Sequence, residues 1–347
     1  MSAIPPLDHL ATLSDDVGVI QHALESVPNR STGYCTDDVA RALIVVIARM
    51  RLAPKDPRAD RLATIYLSYL ADAQLPDGRF RNFMSYGRRW LDEVGTRDSN
   101  GRAIWSLGYA MHHASDGRRR RVAKRLFEKA LGALDWLEYA LSEAYAMLGL
   151  AHAQAASPRP AYAAALRHLG TRSLERLAAN SDAAWTWFSD AMTYDVARKP
   201  EALIRAGLAV EQQAFVEGGM LALDFYERVV FENGLFVPIG NAGWYVRGAA
   251  RARYDQQPLE AAAMVDAELA ALDATGDVAR RKGAHAAMAW YEGRNSEGIV
   301  MAHDGGCYDG LGAGTVNRNM GAESTLALLS AAYTLALRQR SRIAIAR

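Results

Sequence analysis

The chain has 347 residues, of which 50% are hydrophobic and 23% are charged. A chain of this length can bury a large core without disulfide support, and its apolar content excludes disorder over most of its length. Its 40 lysines and arginines are balanced by 39 acidic residues. The net charge therefore gives no indication of a general electrostatic attraction to nucleic acid or to an anionic membrane.

Cysteine content and the N-terminal sequence bear on the compartment. Two cysteines, Cys35 and Cys307, are too few for a disulfide framework, which favours a reducing environment. The first eight residues lack the charged and apolar regions of a signal peptide. No apolar run reaches the roughly 18 residues that a membrane-spanning helix requires. The sequence therefore predicts a cytoplasmic protein without a membrane span.

Two kinds of helix alternate along the chain. One kind is apolar nearly all round and must be covered on most sides, whereas the other has one polar face. Helices of the first kind are predicted to begin near Asp37, Asp98, Leu141, Val196, Gln256 and Asn319. Helices of the second kind are predicted over residues 57–74, 116–138, 160–178, 211–231 and 276–292, with residues 8–26 supplying a sixth.

This alternation predicts an all-α fold, an (α/α)6 toroid of six helical hairpins. An open α-solenoid is the alternative, but its connections would be shorter and more even. Three connections contain turn formers, at residues 77–78, 233–234 and 297–298, and the runs that follow favour short β-hairpins. No flexible linker divides the chain, so we expect one domain over residues 1–347, with its core at about 8–338.

The connections that precede the apolar helices combine acids with aromatic residues. In a toroid these segments share one cavity, and aromatic rings with carboxylates, amides and arginines are typical of a carbohydrate site. An acid at a helix start is also a preferred N-cap, and this simpler interpretation applies to Asp37. The candidate substrate-binding residues are Tyr34, Trp90, Arg102, Trp187, Tyr194, Trp244, Gln256, His303, Tyr308 and Glu323.

Glycosidic bond cleavage requires two carboxyl groups with opposite roles, and helix spacing permits the separation of an inverting pair. Asp98 and Asp38 are the first candidates, with Asp195 and Asp255 as alternatives for the second carboxylate. Arg41, one turn after Asp38, is expected to pair with it and lower its pKa. Asp98 lies between two tryptophans in the sequence, where partial burial would raise its pKa for a general acid.

Five segments of the sequence resemble the six-hairpin glycosidase superfamily. They read GYCTDDVARAL (33–43), DGRFRNF (77–83), DSNGRAIW (98–105), DQQPLEA (255–261) and NMGAEST (319–325). More narrowly, they are similar to bacterial helical proteins that accompany, or are fused to, glycosyltransferases and sugar phosphorylases. The resemblance implies an (α/α)6 barrel that acts on an oligosaccharide or glycan, with a glycosyltransferase as a possible partner.

Three alternatives to a hydrolase stay open at this point. A sugar epimerase or isomerase would need a base such as a histidine, and His303 alone lies in one of these connections. A zinc enzyme could use Cys35, Cys307 and His303, but the chain has no metal-binding signature, so no metal and no other cofactor are predicted. A non-catalytic carbohydrate-binding or scaffold protein would keep the aromatic residues without a matched acid pair.

Overall fold

The computed structural model describes residues 4–345, with side chains described for residues 4–340. Twelve α-helices lie in this part of the chain: α1 (Asp8–Leu13), α2 (Thr36–Leu52), α3 (Pro57–Ala73), α4 (Arg97–His113), α5 (Gly117–Ala130), α6 (Ala140–Ala156), α7 (Pro160–Asn180), α8 (Arg198–Val210), α9 (Gln213–Val230), α10 (Pro258–Thr275), α11 (Arg280–Ala289) and α12 (Ala322–Ile345). Short 3-10 turns over residues 131–136 and 290–292 continue α5 and α11.

The predicted alternation of two kinds of helix is confirmed. The six apolar helices α2, α4, α6, α8, α10 and α12 begin within three residues of the predicted starts. In α10 every residue from Pro258 to Ala271 is buried, whereas α5 buries only Ala123, Leu126, Phe127 and Ala130. The difference follows from composition, because α5 carries a run of arginines that must reach water.

One predicted helix is wrong over most of its length. Residues 8–26 form a helix only over Asp8–Leu13, and the remainder forms turns and a short strand. The Asp15 carboxylate accepts the backbone N–H groups of Val17 and Gly18. This side chain satisfies donors that a continuing helix would have used, so it favours a turn after Ser14.

The strands are short and pair only as antiparallel ladders of two or three residues. They are β1 (Ala23–Leu24), β2 (Val27–Pro28), β3 (Tyr34–Cys35), β4 (Phe83–Met84), β5 (Ala191–Met192), β6 (Phe231–Glu232), β7 (Leu235–Phe236), β8 (Tyr245–Val246), β9 (Ala302–His303), β10 (Gly306–Cys307), β11 (Gly310–Gly312) and β12 (Thr315–Asn317). The pairs are β1–β2, β3–β4, β5–β8, β6–β7, β9–β10 and β11–β12.

The three predicted turns differ in whether a β-hairpin forms there. Asn233 and Gly234 both have positive φ and join β6 to β7, as a tight hairpin requires. Around residues 77–78, an isolated bridge pairs Gln74 with Phe80. Residues 299–300 form no strand. The side chain of Asn295 already holds the backbone of Ile299, accepting its N–H and donating to its carbonyl.

The chain divides into two compact units, each containing three helical hairpins. The first unit comprises the residues up to Glu138, Ala302–Tyr308 and the chain from Arg318, with the hairpins α2/α3, α4/α5 and α12/α1. The second comprises Tyr139–Met301 and Asp309–Asn317, with the hairpins α6/α7, α8/α9 and α10/α11. None of the helices in the described part of the chain has both the length and the apolar character needed to cross a bilayer.

Candidate active site

The N-terminus of α2 carries two adjacent acids, and neither is its N-cap. The cap is Cys35, whose Sγ accepts the backbone N–H of Asp38 at 3.4 Å. On α4 the cap is Thr96, whose hydroxyl oxygen accepts the N–H of Ser99. The capping interpretation of Asp37 is therefore wrong, and Asp98 does not cap its helix either.

Five charged side chains meet at the start of α2, and we call them the Arg41 cluster: Asp37, Asp38, Arg41, Arg102 and Glu323. Nη2 of Arg41 lies 3.2 Å from Asp37 and 2.8 Å from Glu323, while its Nη1 donates to Asp38 at 2.9 Å. Nε of Arg102 lies 2.7 Å from Oδ1 of Asp37. The cluster thus joins side chains from α2, α4 and α12.

The first turns of α2 and α4 are tied together through Asn82. Its backbone carbonyl accepts the N–H of Thr36 at 2.8 Å, and its side-chain oxygen accepts the N–H of Asp37 at 3.3 Å. A Cβ on Gly95, just before α4, would lie 2.8 Å from the Cβ of Asn82. This close approach requires glycine. Asp98, in the first turn of α4, lies one turn before Arg102 on the same helix face.

Asp38 differs from its predicted behaviour in one respect. The predicted ion pair with Arg41 is confirmed. The predicted fall in pKa is wrong, because burial raises the pKa of Asp38 to about 6 and outweighs the effect of Arg41. The other carboxylate oxygen of Asp38 accepts a hydrogen bond from the Cys35 thiol at 3.1 Å. Asp38 is therefore a buried anchor for Arg41.

Two carboxylates of the cluster keep contact with solvent. The side chains of Asp37 and Glu323 are 24% and 29% exposed, against 8% for Asp38. Both contact the same nitrogen of Arg41, so their nearest oxygens lie closer together than the roughly 6.5–9.5 Å between the carboxyl groups of an inverting pair. Asp98 is half-buried. Asp37, Glu323 and Asp98 are thus the partly exposed carboxylates in the first turns of α2, α12 and α4.

In the second unit, Asp195 lies in a buried network and is not open to solvent. The Tyr145 hydroxyl donates to its Oδ2 at 2.6 Å, and both side chains are buried. The Glu260 carboxyl accepts the backbone N–H groups of Asp195 and Val196 at 2.6 and 2.9 Å. Burial, with the nearby Asp195 charge, raises the pKa of Glu260 to about 8. We interpret this network as a support for the turn before α8.

A second buried set of charges adjoins that turn and was missed from the sequence. Nη1 of Arg198 donates to Glu201 at 2.6 Å and to Asp266 at 2.8 Å, and all three side chains are buried. On α6, Glu143 forms ion pairs with Arg172 and Arg176. The available signal was the position of acids in the first helical turns, which holds for Glu143, Glu201 and Glu260 alike.

The remaining candidates of the second unit differ in accessibility. The indole of Trp187 is fully buried, with the Lys199 ammonium 5.6 Å from its ring centroid. The amide of Gln256 is also fully buried, because it donates to Ser296 and to the Arg253 carbonyl and accepts from Trp290. Neither side chain is accessible to a substrate. Three further candidates are at least partly exposed, namely Tyr194, Trp244 and Asp255.

The aromatic candidates of the first unit also divide by burial. Tyr34 is buried, and its hydroxyl donates to Asp15 at 2.6 Å. Trp90 is half-buried, and its ring meets that of Tyr69 in an edge-to-face arrangement. His303 and Tyr308 are both half-buried, and their ring centroids lie 4.5 Å apart across the β9–β10 hairpin.

The zinc site that was considered as an alternative is not formed. Cys35, Cys307 and His303 do not bring their ligand atoms within 4.8 Å of one another. Both thiols have other partners, since Cys35 donates to Asp38 and Cys307 to the carbonyl of Tyr308.

No protein-family model and no curated protein matches the sequence. Solved structures do match. The chain is similar to a sugar epimerase from a ruminal bacterium, at 12% identity, a TM-score of 0.73 and 95% coverage of each chain. It is similar to cellobiose 2-epimerase from Bacillus thermoamylovorans, at 10% identity, the same TM-score and the same coverage. It is also similar to a GH76 α-mannanase from Bacteroides thetaiotaomicron, at 12% identity, a TM-score of 0.60 and 95% coverage of each chain.

These similarities extend over nearly the whole chain, and the matched structures are (α/α)6 toroids. The chain has the (α/α)6 fold. The predicted fold class is therefore confirmed, including the short β-hairpins between the helices. At 10–12% identity the likeness shows the fold alone, so the activity must be argued from the chain's own residues.

Proposed function

We propose that the chain is a carbohydrate-active enzyme, and that it hydrolyses a glycosidic bond at the Arg41 cluster. The observation that carries this proposal is the meeting of partly exposed carboxylates at the first turns of neighbouring helices around two arginines. Asp37 and Asp98 are released from capping by Cys35 and Thr96. The solved structures that share the fold include glycosidases and sugar epimerases, which supports a sugar as the substrate.

The roles follow from the surroundings of each carboxyl group. Asp37 is held by two guanidinium groups, which suits the base that accepts a proton from the attacking water. Asp98, half-buried on the facing helix, is the proposed acid that gives its proton to the glycosidic oxygen as the bond to the anomeric carbon breaks. Glu323 and Arg41 are proposed to bind sugar hydroxyls. An inverting mechanism would use the pair Asp37 and Asp98, because Asp37 and Glu323 lie closer together than the two carboxyl groups of an inverting pair.

Epimerisation or isomerisation is the second candidate. The two sugar epimerase structures described above each match with a TM-score of 0.73 over 95% of both chains. The half-buried His303, held against Tyr308, would be the base that removes a proton from the carbon next to the sugar carbonyl. We favour hydrolysis because partly exposed carboxylates lie around two arginines, whereas His303 is the one histidine proposed as a base.

Isotope incorporation separates the candidates. The protein is incubated with a panel of oligosaccharides in H2(18)O and, separately, in D2O. Hydrolysis places 18O at the new reducing end, whereas epimerisation or isomerisation through proton abstraction places deuterium on carbon. We expect 18O incorporation that is lost in Asp98→Asn, with Asp92→Asn as the matched control because its carboxylate bonds only backbone N–H groups in its own loop.

Each result distinguishes between the candidate functions. Carbon-bound deuterium lost in His303→Asn would replace hydrolysis by epimerisation or isomerisation. Sugar binding without either label, detected by thermal shift, would support a non-catalytic carbohydrate-binding protein that partners a glycosyltransferase. A wild-type activity that Asp37→Asn and Asp98→Asn both retain would remove the Arg41 cluster from the chemistry.

A further inference from the structure

Four aromatic rings form a continuous row beside the start of α2. Tyr86 stacks on Tyr34 with ring centroids 6.1 Å apart, and the centroids of Tyr34 and Tyr69 are 6.5 Å apart. Tyr69 and Trp90 meet edge-to-face with centroids 5.4 Å apart. The two middle rings are buried, whereas Tyr86 is exposed and Trp90 is half-buried. The row therefore presents only its two end rings to a ligand.

An arginine lies over each end ring. The Arg30 guanidinium is 5.6 Å from the centroid of Tyr86, and the Arg81 guanidinium is 5.8 Å from that of Trp90. An aromatic face attracts a guanidinium and limits its motion, so each arginine is partly fixed before any ligand arrives.

These arginines have no acidic partner within the part of the chain that the structure describes. Arg30 and Arg81 form no ion pair there, nor does the exposed Arg89, which lies with Arg81 in the loop between α3 and α4. The neighbouring Arg88 behaves differently, since it donates to both carboxylate oxygens of Asp16. The exposed Glu25 lies in the adjacent hairpin turn without pairing with any of them.

Two other acids of these loops bind different groups, and the exposed Glu93 forms no ion pair with these arginines. Asp15 accepts the Tyr34 hydroxyl and the backbone N–H of Val17 at 2.8 Å. Asp92 accepts the backbone N–H groups of residues 82 and 83, at 2.8 and 2.9 Å. The loops therefore hold three guanidinium groups that form no ion pair with an acidic side chain in the described part of the chain.

This surface borders the Arg41 cluster. The Thr36 hydroxyl donates to the carbonyl of Arg81 at 2.5 Å, and Thr36 directly precedes Asp37. Strand β4, which follows Arg81, pairs with β3, which leads into α2. A chain molecule that places one unit at Asp37 can therefore extend over Arg81 and Trp90.

We propose that Arg30, Arg81 and Arg89 bind carboxylate groups of an acidic oligosaccharide, so that the substrate of the Arg41 cluster is a uronate-containing glycan. The inference rests on the proposed function for the location of the reacting unit. Arginine forms paired, charge-assisted hydrogen bonds with carboxylates, and the exposed ring of Tyr86 and the half-buried ring of Trp90 offer apolar surface to the sugar rings. A neutral glycan would leave the three guanidinium groups unused.

The test is calorimetric titration with oligomers of galacturonate, glucuronate and mannuronate, beside a neutral cello-oligosaccharide and a sulfated one of equal length. We expect at least one oligouronate to bind more tightly than the other two classes, and its affinity to fall with added salt. Arg30→Gln and Arg89→Gln should each weaken that binding by roughly tenfold. Arg125→Gln, which removes an exposed arginine from α5, should leave it unchanged. The melting temperature of each variant verifies that it is folded.

The outcomes separate this inference from the function it extends. Equal binding of neutral and acidic oligomers, tighter binding of the sulfated one, or arginine variants that bind like the wild type would overturn the inference. Failure of every oligouronate to bind would do the same, while 18O incorporation from a neutral glycan would leave the proposed hydrolase intact. An oligouronate that binds through these arginines but acquires neither isotope would uphold the inference and refute the hydrolase.

Discussion

The Nε atom of Arg102 on α4 lies 2.7 Å from Oδ1 of Asp37 on α2, and the arginine side chain is only 3% exposed. A guanidinium in such surroundings has lost most of its hydration, so its carboxylate partner must compensate. Arg41 contacts the other oxygen of Asp37. The first turn of α2 is thus held from two sides by positive charges that hydrolysis would also use.

Replacing Arg102 should therefore lower stability as well as activity. We expect Arg102→Met to reduce the free energy of unfolding by about 2–3 kcal/mol, since the packing of the side chain is kept but Asp37 loses a partner. Urea unfolding followed by circular dichroism measures the change. The control is Arg118→Met, which removes an exposed pair on α5 and should leave the unfolding midpoint where it is. An equal effect of both substitutions would contradict the importance of burial.

Stability should decrease as the pH rises from about 6.5 to 8, above the range in which the lowered pKa values of His112 and His113 act in the opposite direction. Burial raises the pKa of Glu260 and of Glu268 to about 8 and that of Asp38 to about 6, all above the values of the unfolded chain. Between those values and the raised ones the folded state binds more protons than the unfolded state, so raising the pH favours unfolding. Denaturation midpoints measured across this range test whether stability falls as the pH rises. Glu260→Gln should flatten the profile, and a wild-type profile that rises through this window would refute the assignment.

The positions of the helices could be predicted because apolar periodicity and turn residues are local signals. The start of α2 was placed within one residue, yet the interpretation of Asp37 as its cap was wrong because Cys35 performs that role. Sequence preferences rank Asp far above Cys at this position, and only the backbone geometry decides between them. Local patterns thus predict the position of a helix better than they predict the roles of its side chains.

The protonation of Asp38 shows the same limit for the site. Its spacing from Arg41 correctly predicted the ion pair, but the pKa depends on how much water the fold excludes. Glu260 was overlooked because it lies inside α10, after the connection that holds the candidate residues, and its role depends on the turn at Asp195, 65 positions earlier. Long-range partners of this kind leave no periodic trace in the sequence.

Gly170 on α7 should not tolerate a side chain. A Cβ at this position would lie 2.4 Å from the ring of Phe215 on α9. We expect Gly170→Ala to lower the free energy of unfolding by about 1–3 kcal/mol, because the ring must shift in a filled interior. Gly132→Ala is the control, since no atom lies within 4 Å of its Cβ and the substitution should be neutral or slightly stabilising. Thermal unfolding of both variants measures the difference, and equal melting temperatures would show that Phe215 moves freely.

Tyr145 tests whether Asp195 is a structural residue. Its hydroxyl donates to Oδ2 of Asp195 at 2.6 Å, whereas the buried hydroxyl of Tyr291 donates to the neutral carbonyl of Pro258 at the same distance. Removing a donor from a buried carboxylate costs more than removing one from a carbonyl, so we expect Tyr145→Phe to destabilise by about 2 kcal/mol and Tyr291→Phe by about 1 kcal/mol. Chemical unfolding compares the two. If Tyr145→Phe instead leaves stability unchanged but abolishes turnover, Asp195 returns to the list of candidate catalytic residues, because a purely structural carboxylate could not respond in that way.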